Sequence, residues 1–361
     1  MKKIVVFLLV VSLFASLVVG CQSNSNEEQS NVETNIERSI EDLAGNTVII
    51  PPASEINRVL LMGPPLFASY INIVKDTSKL VGVHPNSFKE ANPLLLDIIF
   101  PEWKNMNSTF LEEKEPNIEE ILKLNPDIIF VYGQGHKEAL SNINVPIVDF
   151  NSKLDGQTWL KKQDKLIRDI FEISEEGFIE KELDAINKMI TEAKGTQENV
   201  NGQKALIIGV NSGKDISIRG PGAFAHELLK LTLLSDVSEE LGVPVANASM
   251  EQIYAWNPEI IYLFKGIPAG KYLSNQIENQ DWSKVQAFES KRIYDTPKGM
   301  MHWGSPNPDT PLALHWMLTK NFPDQFPEDE FQKNMKRYYK ENYNIELTQE
   351  LMDSILYPNK K

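Results

Sequence analysis

Two stretches of the chain repeat one sequence pattern, and this repeat constrains the fold more than any other feature. Residues 117–129 and 249–261 align without a gap and share Glu, Ile, Asn, Pro, Ile and Ile at matching positions. Each stretch opens with a residue that can cap a helix, Asn117 or Ser249, and reaches an Asn-Pro pair that moves the backbone out of the helical region. Each then continues as an apolar strand. A helix–strand unit can arise twice in any α/β protein, but the shared Glu and Asn-Pro positions favour a duplicated lobe.

The remaining patterns predict an α/β chain in which strands and helices alternate. Apolar and β-branched runs predict strands at residues 47–50, 58–62, 80–83, 127–132, 146–150, 204–210, 259–264 and 292–295. Helical patterns occupy residues 66–74, 222–234, 310–321 and 329–343. Alternation of this kind is typical of parallel sheets covered by helices.

Residues 157–194 contain no Pro and predict a long helix between the two α/β runs. Its second half repeats apolar residues at helical spacing from Ile179 to Ile190, so one face is expected to be buried. Residues 174–177 could divide it into two helices. The predicted fold is therefore α/β, with two Rossmann-like lobes joined by a single long helix and a ligand cleft between the lobes.

The first twenty residues have the layout of a secretory signal peptide. Lys2 and Lys3 precede an apolar run that is shorter than the about 20 residues of a spanning helix. Val18-Val19-Gly20-Cys21 follows, as in a bacterial lipobox, and Cys21 is the only cysteine of the chain. We expect Cys21 to be lipidated, although an ordinary signal peptide with a chance cysteine is an alternative. Polar residues 22–37 predict a flexible tether, which places the protein on the outer face of the bacterial cytoplasmic membrane.

The predicted organisation has five parts. They are a signal peptide (1–20), a lipidated cysteine with its tether (21–37), an N-terminal α/β lobe (38–156), a linking helix region (157–196) and a C-terminal α/β lobe (197–361).

The chain is acidic, with a net charge of −14 that becomes two units more negative once Lys2 and Lys3 are removed. Nucleic acid requires a basic face on its partner, so the charge argues against it. The charge also argues against electrostatic docking on anionic lipid. It is explained well enough by solubility.

Several motifs in order along the chain resemble the substrate-binding lipoproteins of ABC importers for ferric siderophores, heme and cobalamin. The resemblance covers residues 40–326 and rests on the two repeated segments together with Asp42-Leu43-Ala44-Gly45, Leu80-Val81-Gly82-Val83, Asp281-Trp282-Ser283-Lys284-Val285, and Ser305-Pro306 before a helix containing Trp316. It implies two α/β lobes joined by one rigid long helix, with the ligand between them. It also implies an ABC permease with its cytoplasmic ATPase as partner. We expect a monomer without an intrinsic cofactor.

Glu119 and Glu251 occupy matching positions in the first turns of the two repeated helices. In the family that the chain resembles, a Glu at each position forms a salt bridge with permease arginines, so the resemblance implies that role here. A favourable interaction with the helix dipole is the simpler interpretation, and both can hold together.

Ligands of open α/β sheets sit outside the carboxyl ends of the strands, so the loops after the two repeated strands are expected to face each other. The candidate ligand-binding residues are Met62, Tyr132, Gln134, Arg219, Lys265, His302 and Trp303. Arg219 and Lys265 could pair with an anionic chelate, and Trp303 could stack on a flat ligand. His302 could complete the coordination of a metal. The alternatives are solvated cations, a packed tryptophan and a surface histidine.

The histidine pattern bears on the cargo. The five histidines show no spacing typical of a zinc site, which disfavours uptake of bare Zn²⁺ or Mn²⁺. The resemblance implies a metal chelate as the ligand, with a ferric siderophore preferred and a corrinoid next. Heme, bound through Tyr132 or His302, and a nickel chelate stay open.

Two other classes of function, an enzyme and a surface receptor, fit the sequence less well. An enzyme is disfavoured, because neither a Gly-x-Ser-x-Gly nor a Walker A run occurs and the nitrogenase-like proteins of similar lobe plan need cysteine ligands. A surface adhesin or signalling receptor reusing the fold would keep the cleft but would not need Glu119 and Glu251.

Overall fold

The strands and helices of the chain alternate, as the sequence predicts, in a computed structural model that describes residues 37–112, 115–196 and 202–360. The strands are β1 (Arg38–Glu41), β2 (Thr47–Ile50), β3 (Val59–Leu61), β4 (Leu80–Val83), β5 (Leu111–Glu112), β6 (Glu115–Pro116), β7 (Ile128–Val131), β8 (Ile147–Asp149), β9 (Lys204–Asn211), β10 (Ile216–Arg219), β11 (Ser235–Asp236), β12 (Val245–Ala248), β13 (Ile260–Gly266) and β14 (Ile293–Asp295). The helices are α1 (Leu66–Ile73), α2 (Pro85–Lys89), α3 (Pro93–Ile99), α4 (Ile118–Leu124), α5 (Gln134–Ala139), α6 (Gly156–Phe171), α7 (Phe178–Thr196), α8 (Phe224–Leu231), α9 (Met250–Trp256), α10 (Ala269–Leu273), α11 (Gln286–Glu289), α12 (Thr310–Asn321), α13 (Glu328–Tyr343) and α14 (Gln349–Leu356). The predicted signal peptide, Cys21 and the tether up to residue 36 lie outside the described residues.

The sheet of the N-terminal lobe has the order β4-β3-β7-β8, and every pair in it is parallel. β7 is buried at all four positions, because a strand inside such a sheet packs against helices on both faces. The carboxyl ends of β3, β4 and β7 therefore lie along one edge, where a ligand is expected.

The sheet of the C-terminal lobe has the order β12-β10-β9-β13-β14, with β11 pairing β9. β9, β13 and β14 are parallel, whereas β10 runs antiparallel to both of its neighbours, β9 and β12. A tight turn after β9 causes the reversal, with Gly213 at a φ of 87° and the Ser212 N–H donating to the Asp215 carbonyl. The sheet is thus mixed, which the predicted parallel pattern did not include.

The predicted single linking helix is two helices, α6 and α7. α6 ends at Glu172, whose φ of 55° lies in the left-handed region and cannot continue a helix. The turn that follows is held by Arg168, which donates to Asp164 at 2.7 Å and to the Glu175 carbonyl at 3.2 Å. α6 packs on α1 of the N-terminal lobe, and α7 packs on α12. The connection between the lobes is therefore two helices with a turn at residues 172–177 between them, rather than one continuous helix. We call the region around this turn the joint.

Three helices complete the chain after β14. α12 is buried at eleven of its twelve positions, so its sequence lacks a polar face. α13 has an acidic first turn, which suits the partial positive charge of a helix N-terminus. α14, absent from the predicted helices, packs on α3, so the end of the chain contacts the N-terminal lobe.

One large apolar cluster includes residues of both lobes, such as Phe67, Ile167, Ile207 and Trp303. Smaller clusters fill the outer face of each sheet, under α4 in one lobe and α9 in the other. Met62 is fully buried in the cluster under α4, so its predicted contact with a ligand is wrong. The strand that ends at Leu61 turns this side chain into the sheet's outer layer rather than toward the cleft. None of the helices in the described part of the chain is long and apolar enough to span a bilayer.

Candidate functional site

The two repeated segments form the same local structure. The side chain of Asn117 accepts the Glu120 N–H at 3.1 Å at the start of α4, and Ser249 accepts the Gln252 N–H at 3.3 Å at the start of α9. The helices end at Asn125 and Asn257, with φ of 44° and 45°. Asn tolerates this left-handed conformation, and the Pro that follows prevents the helix from continuing. Helix caps, lengths and exits therefore agree between the lobes.

Glu119 and Glu251 are the second residues of α4 and α9, and both are exposed. Within the described part of the chain neither forms an ion pair. The backbone N–H of Glu251 and the Ser249 hydroxyl hold the pKa of the Glu251 carboxyl below its usual value. Both side chains are thus available to a basic partner.

The two helices that carry these carboxylates are tied to their lobes. The Arg58 guanidinium donates to the Leu124 carbonyl at 2.7 Å and to the Asn125 carbonyl at 2.8 Å, satisfying the free end of α4. In the other lobe the Trp256 indole N–H donates to Glu240 at 2.8 Å, at the end of α9. These bonds fix the orientation of each helix.

Tyr132 follows β7 directly and faces the edge where the cleft lies. It is 37% exposed, and its ring meets Trp159 edge-on with centroids 5.7 Å apart. Burial raises the pKa of its hydroxyl, with a further contribution from Asp149, so the group is a neutral donor at physiological pH. Gly63 is needed beneath it, because a Cβ there would lie 2.7 Å from the Tyr132 Cβ. Gln134 begins α5, and its side chain lies outside the described part.

Lys265 lies near the end of β13 and reaches across to the N-terminal lobe. Its Nζ lies 2.6 Å from the Glu90 carboxylate, which follows α2. Beside it the Lys298 Nζ donates to the Lys89 carbonyl at 2.6 Å. The Asn92 N–H donates to the Gly299 carbonyl at 2.8 Å in the same region. This side of the cleft is therefore closed by contacts between the lobes.

A second contact joins the lobes where α6 begins. The Gly156 N–H donates to the Glu227 carboxylate of α8 at 2.7 Å, and the Phe224 ring occupies the space that a side chain on Gly156 would fill. Glu227 thereby satisfies a free N–H at the start of the linking segment. Burial raises the pKa of its carboxyl.

Arg219 ends β10, and its guanidinium lies over Gly209 of β9, where a Cβ would be 2.7 Å from the Arg219 Nε. Within the described residues it has no ion pair. A planar guanidinium held in place by packing but free of a carboxylate is suited to an anionic ligand.

Trp303 does not line the cleft, so its predicted stacking on a ligand is wrong. Its side chain is fully buried, and the indole N–H donates to Asp309 at 3.2 Å. Asp309 also accepts the hydroxyls of Tyr339 and Tyr343 at 2.9 and 3.2 Å. Burial raises the pKa of the Asp309 carboxyl, against the effect of these donors. Trp303 is an anchor of the loop before α12.

His302, on the same loop, is 5% exposed and packs edge-on against the Phe264 ring at 4.9 Å. Its Nδ1 accepts the Gly304 N–H at 3.1 Å. Burial, and then the nearby positive charge of Lys265 and Lys298, lower its pKa to about 3. The ring is therefore neutral at physiological pH, and the predicted surface or metal-binding roles are not what its surroundings favour.

His84 and His136 follow the carboxyl ends of β4 and β7, and neither was among the predicted cleft residues. His84 caps α2, where its Nδ1 accepts the Asn86 N–H at 3.1 Å. Burial first, then His136 and Lys89, lower the pKa of His84 to about 4. The rule that ligands sit at the carboxyl ends of parallel strands would have found both residues.

Three lysine side chains, Lys89, Lys265 and Lys298, lie where the two lobes meet, with the imidazoles of His84, His136 and His302 beside them. We call this group the basic band, and its positive charge comes from the lysines. Glu90 adds one negative charge to the band, but the lysines outnumber it. The local net charge is therefore positive, whereas that of the whole chain is negative. Across the described ranges, no three His, Cys, Asp or Glu side chains converge on a point that could hold a metal ion. The arrangement is suited to binding an anion rather than caging a bare metal.

A separate cavity of about 550 Å³ lies on the outer side of the C-terminal lobe, beside β14. Its lining includes three aromatic side chains and two lysines: Tyr294, Trp316, Tyr357, Lys271 and Lys360. None of the basic band lines it.

Comparison with known proteins decides the family. A sequence profile described as "Periplasmic binding protein" matches residues 108–299, more than half of the chain. The chain belongs to the periplasmic binding protein family. The resemblance found in the sequence is thereby confirmed, and the two-lobed α/β fold is the fold of this family. As a member of it, the chain is a solute-binding protein.

The most similar relatives differ in their solutes. The molybdate-binding protein MolA of Haemophilus influenzae is 23% identical over 91% of this chain and 96% of its own. The Fe(3+)-citrate-binding protein YfmC of Bacillus subtilis is 21% identical over 82% of this chain and 90% of its own.

Two crystal structures have the same fold as this periplasmic binding protein. A periplasmic solute-binding protein from Veillonella parvula gives a TM-score of 0.75 at 23% identity, covering 89% of this chain and 97% of its own. Molybdate-bound MolA gives 0.72 at 22% identity, covering 86% and 99%.

Proposed function

We propose that the protein is the solute-binding component of an ABC importer and that it captures an anionic, metal-containing solute between its lobes. The observation that carries the proposal is the basic band, which crosses from α2 in one lobe to β13 in the other within a chain of net charge −14. A cleft lined with one sign of charge concentrates ligands of the opposite sign. Catalysis is not part of the proposal.

The charge of the band narrows the choice of cargo. An anionic ferric siderophore, the preferred cargo from the sequence, fits the cationic groups. Corrinoid, heme and nickel chelates stay as alternatives, and of these heme also carries carboxylates that could pair with the lysines. The neutral donors Tyr132 and His84 beside the cations suit an oxygen-rich ligand in either case.

Molybdate is a second candidate, favoured by the full-length match to MolA. Molybdate is an oxyanion, and the Fe(3+)-citrate relative also binds an anion. The ligand class shared by the two relatives is therefore the one that the basic band favours.

Delivery to the membrane is proposed to use Glu119 and Glu251, one on each lobe. Both are exposed, charged and free of ion pairs within the described residues, so each is able to pair with an arginine of a permease. The protein would be held beside that permease by lipid on Cys21, at the outer face of the cytoplasmic membrane, as a monomer. A surface receptor reusing the fold would bind the solute but would not need the two carboxylates.

Tryptophan fluorescence of residues 22–361, which omit the lipidated cysteine, tests the proposal, because Trp159 contacts Tyr132 at the cleft. We expect saturable quenching by a ferric siderophore, ferric citrate or molybdate, lost in a Trp159→Phe variant. Quenching by cobalamin alone would overturn the anionic class. Turnover of the bound solute would overturn the transport role.

A further inference from the structure

A small cavity lies at the joint between the lobes, away from the basic band. Its volume is about 10 Å³, and it is lined by α1, α6, the start of α7 and Pro308, which precedes α12. The lining residues are Ser69, Asn72, Ile73, Leu160, Gln163, Asp164, Ile179 and Pro308. A volume of this size holds one water molecule if the walls offer two or more polar partners.

Three of the lining side chains carry buried polar atoms without a hydrogen-bond partner. Asn72, Gln163 and Asp164 are 3%, 1% and 6% exposed, and Asn72 Nδ2, Gln163 Nε2 and Asp164 Oδ1 form no hydrogen bond. Buried polar groups are rarely left unpaired, because an unmade bond costs the full desolvation of the group. Three such atoms on the residues around one cavity are therefore expected to share a hydrogen-bonding partner.

The neighbouring hydrogen bonds show which atoms of these side chains are still free. The Ser69 hydroxyl donates to Gln163 Oε1 at 2.9 Å, which leaves the Gln163 N–H groups free. Arg168 donates to Asp164 Oδ2 at 2.7 Å, which leaves Oδ1 free. The cavity therefore presents two amide donors and one carboxylate acceptor. A water oxygen accepts from two donors and gives a proton to the carboxylate, so water matches this set, whereas a cation would face N–H groups.

We propose that this cavity binds one ordered water molecule, held by Asn72, Gln163 and Asp164. The water bonds α1 of the N-terminal lobe to α6, the first linking helix. Since α7 and the loop before α12 close the other side, the site lies at the joint through which any movement of the lobes must pass. The inference is independent of the cargo and goes beyond the proposed function.

A second cavity of about 10 Å³ gives an internal control. It lies under β13, and its lining includes Leu228, Phe264 and Met317. Of its lining side chains in the described part, Thr296 is the one with an unbonded buried polar atom. One partner does not hold a water, so this cavity is expected to be dry.

A crystal structure of the full mature chain at high resolution tests the site directly. We expect one density peak about 2.9 Å from Asn72 Nδ2, Gln163 Nε2 and Asp164 Oδ1, and none in the control cavity. An empty cavity at the joint would overturn the proposal. A peak with short contacts of about 2.4 Å and cation geometry would replace water with a metal ion and also overturn it.

Nuclear Overhauser effects between water and side-chain amide protons test the site in solution. The Asn72 and Gln163 amides should show the sign of a long-lived water. The Gln157 and Asn187 amides, which bond each other at 2.8–3.1 Å on the partly exposed side of the linking helices, should not. Asn72→Leu removes one donor and fills the space, so the Gln163 signal should disappear. Retention of that signal, or its absence in the wild-type protein, would contradict the proposal.

Discussion

The ion pair between Lys265 and Glu90 gives the sharpest test of the cleft. If Lys265 binds an anionic solute, Glu90 competes with that solute in the free protein. The Lys265 and Glu90 side chains are 50% and 19% exposed, so solvent screens the 2.6 Å contact and its net strength is about 0.5–1 kcal/mol. Glu90→Gln removes the competing charge, and we expect the affinity for the anion to rise by about 2–5-fold.

The opposite change should have the opposite sign. Lys265→Met removes the cation and leaves Glu90 alone, so we expect the affinity to fall by about 5–10-fold, which corresponds to one screened charge-assisted hydrogen bond. Isothermal titration calorimetry with molybdate and ferric citrate measures both variants. Both changes in affinity should be smaller at about 0.5 M salt than at about 0.05 M salt, since salt screens exposed charges.

Matched variants separate a local contact from a change in total charge. Lys271→Met removes a lysine of α10 whose Nζ bonds Gln276 outside the cleft, and Glu102→Gln removes an exposed acid before β5. Neither should change the affinity by more than about 2-fold. Weaker binding in Glu90→Gln, or unchanged binding in Lys265→Met, would refute the assignment of Lys265 to the solute site.

Three further outcomes follow from other parts of the molecule. Glu119→Ala with Glu251→Ala should lower uptake through the permease by about tenfold while solute affinity of the isolated protein stays within about 2-fold, because exposed charges steer docking and do not touch the cleft. Trp303→Phe should lower the free energy of unfolding by about 1–3 kcal/mol in denaturant titrations, through loss of its bond to Asp309, with little effect on solute affinity. His302 has its pKa lowered to about 3, so the unfolded chain binds a proton that the folded chain does not as pH falls below about 6.5. Stability should therefore decrease toward acid pH, and His302→Phe should reduce that slope by about one proton in pH-dependent denaturation.

Each of these outcomes has a result that would count against it. Unchanged uptake in the double glutamate variant would favour a surface receptor over an importer. A large loss of solute affinity in Trp303→Phe, with stability intact, would restore the stacking role that burial contradicts. A pH slope of His302→Phe equal to that of the wild-type protein would mean that the ring titrates normally when folded.

The repeated segments show what local sequence can predict. A cap such as Ser249 acts on a backbone N–H three residues away, and an Asn-Pro pair stops a helix through its own sterics. Both helices and the strands after them were predicted because every interaction that defines them lies within a few residues. The sequence indicated that the linking helix could be divided, but not that it ends at Glu172. The left-handed conformation of Glu172 depends on the contact between Asp164 and Arg168 as well as on its own backbone preference.

The sequence by itself therefore determined the α/β class, the duplicated unit, and the exposed position of Glu119 and Glu251 on helix starts. Only the tertiary structure decided which strand-end residues reach the cleft. Met62 and Tyr132 both end neighbouring strands, yet one is buried under α4 and the other faces the cleft, because the side of the sheet to which each points depends on packing. The basic band likewise unites residues more than two hundred positions apart, from His84 to His302, and groups at that separation in sequence become neighbours only through the tertiary contact between the lobes.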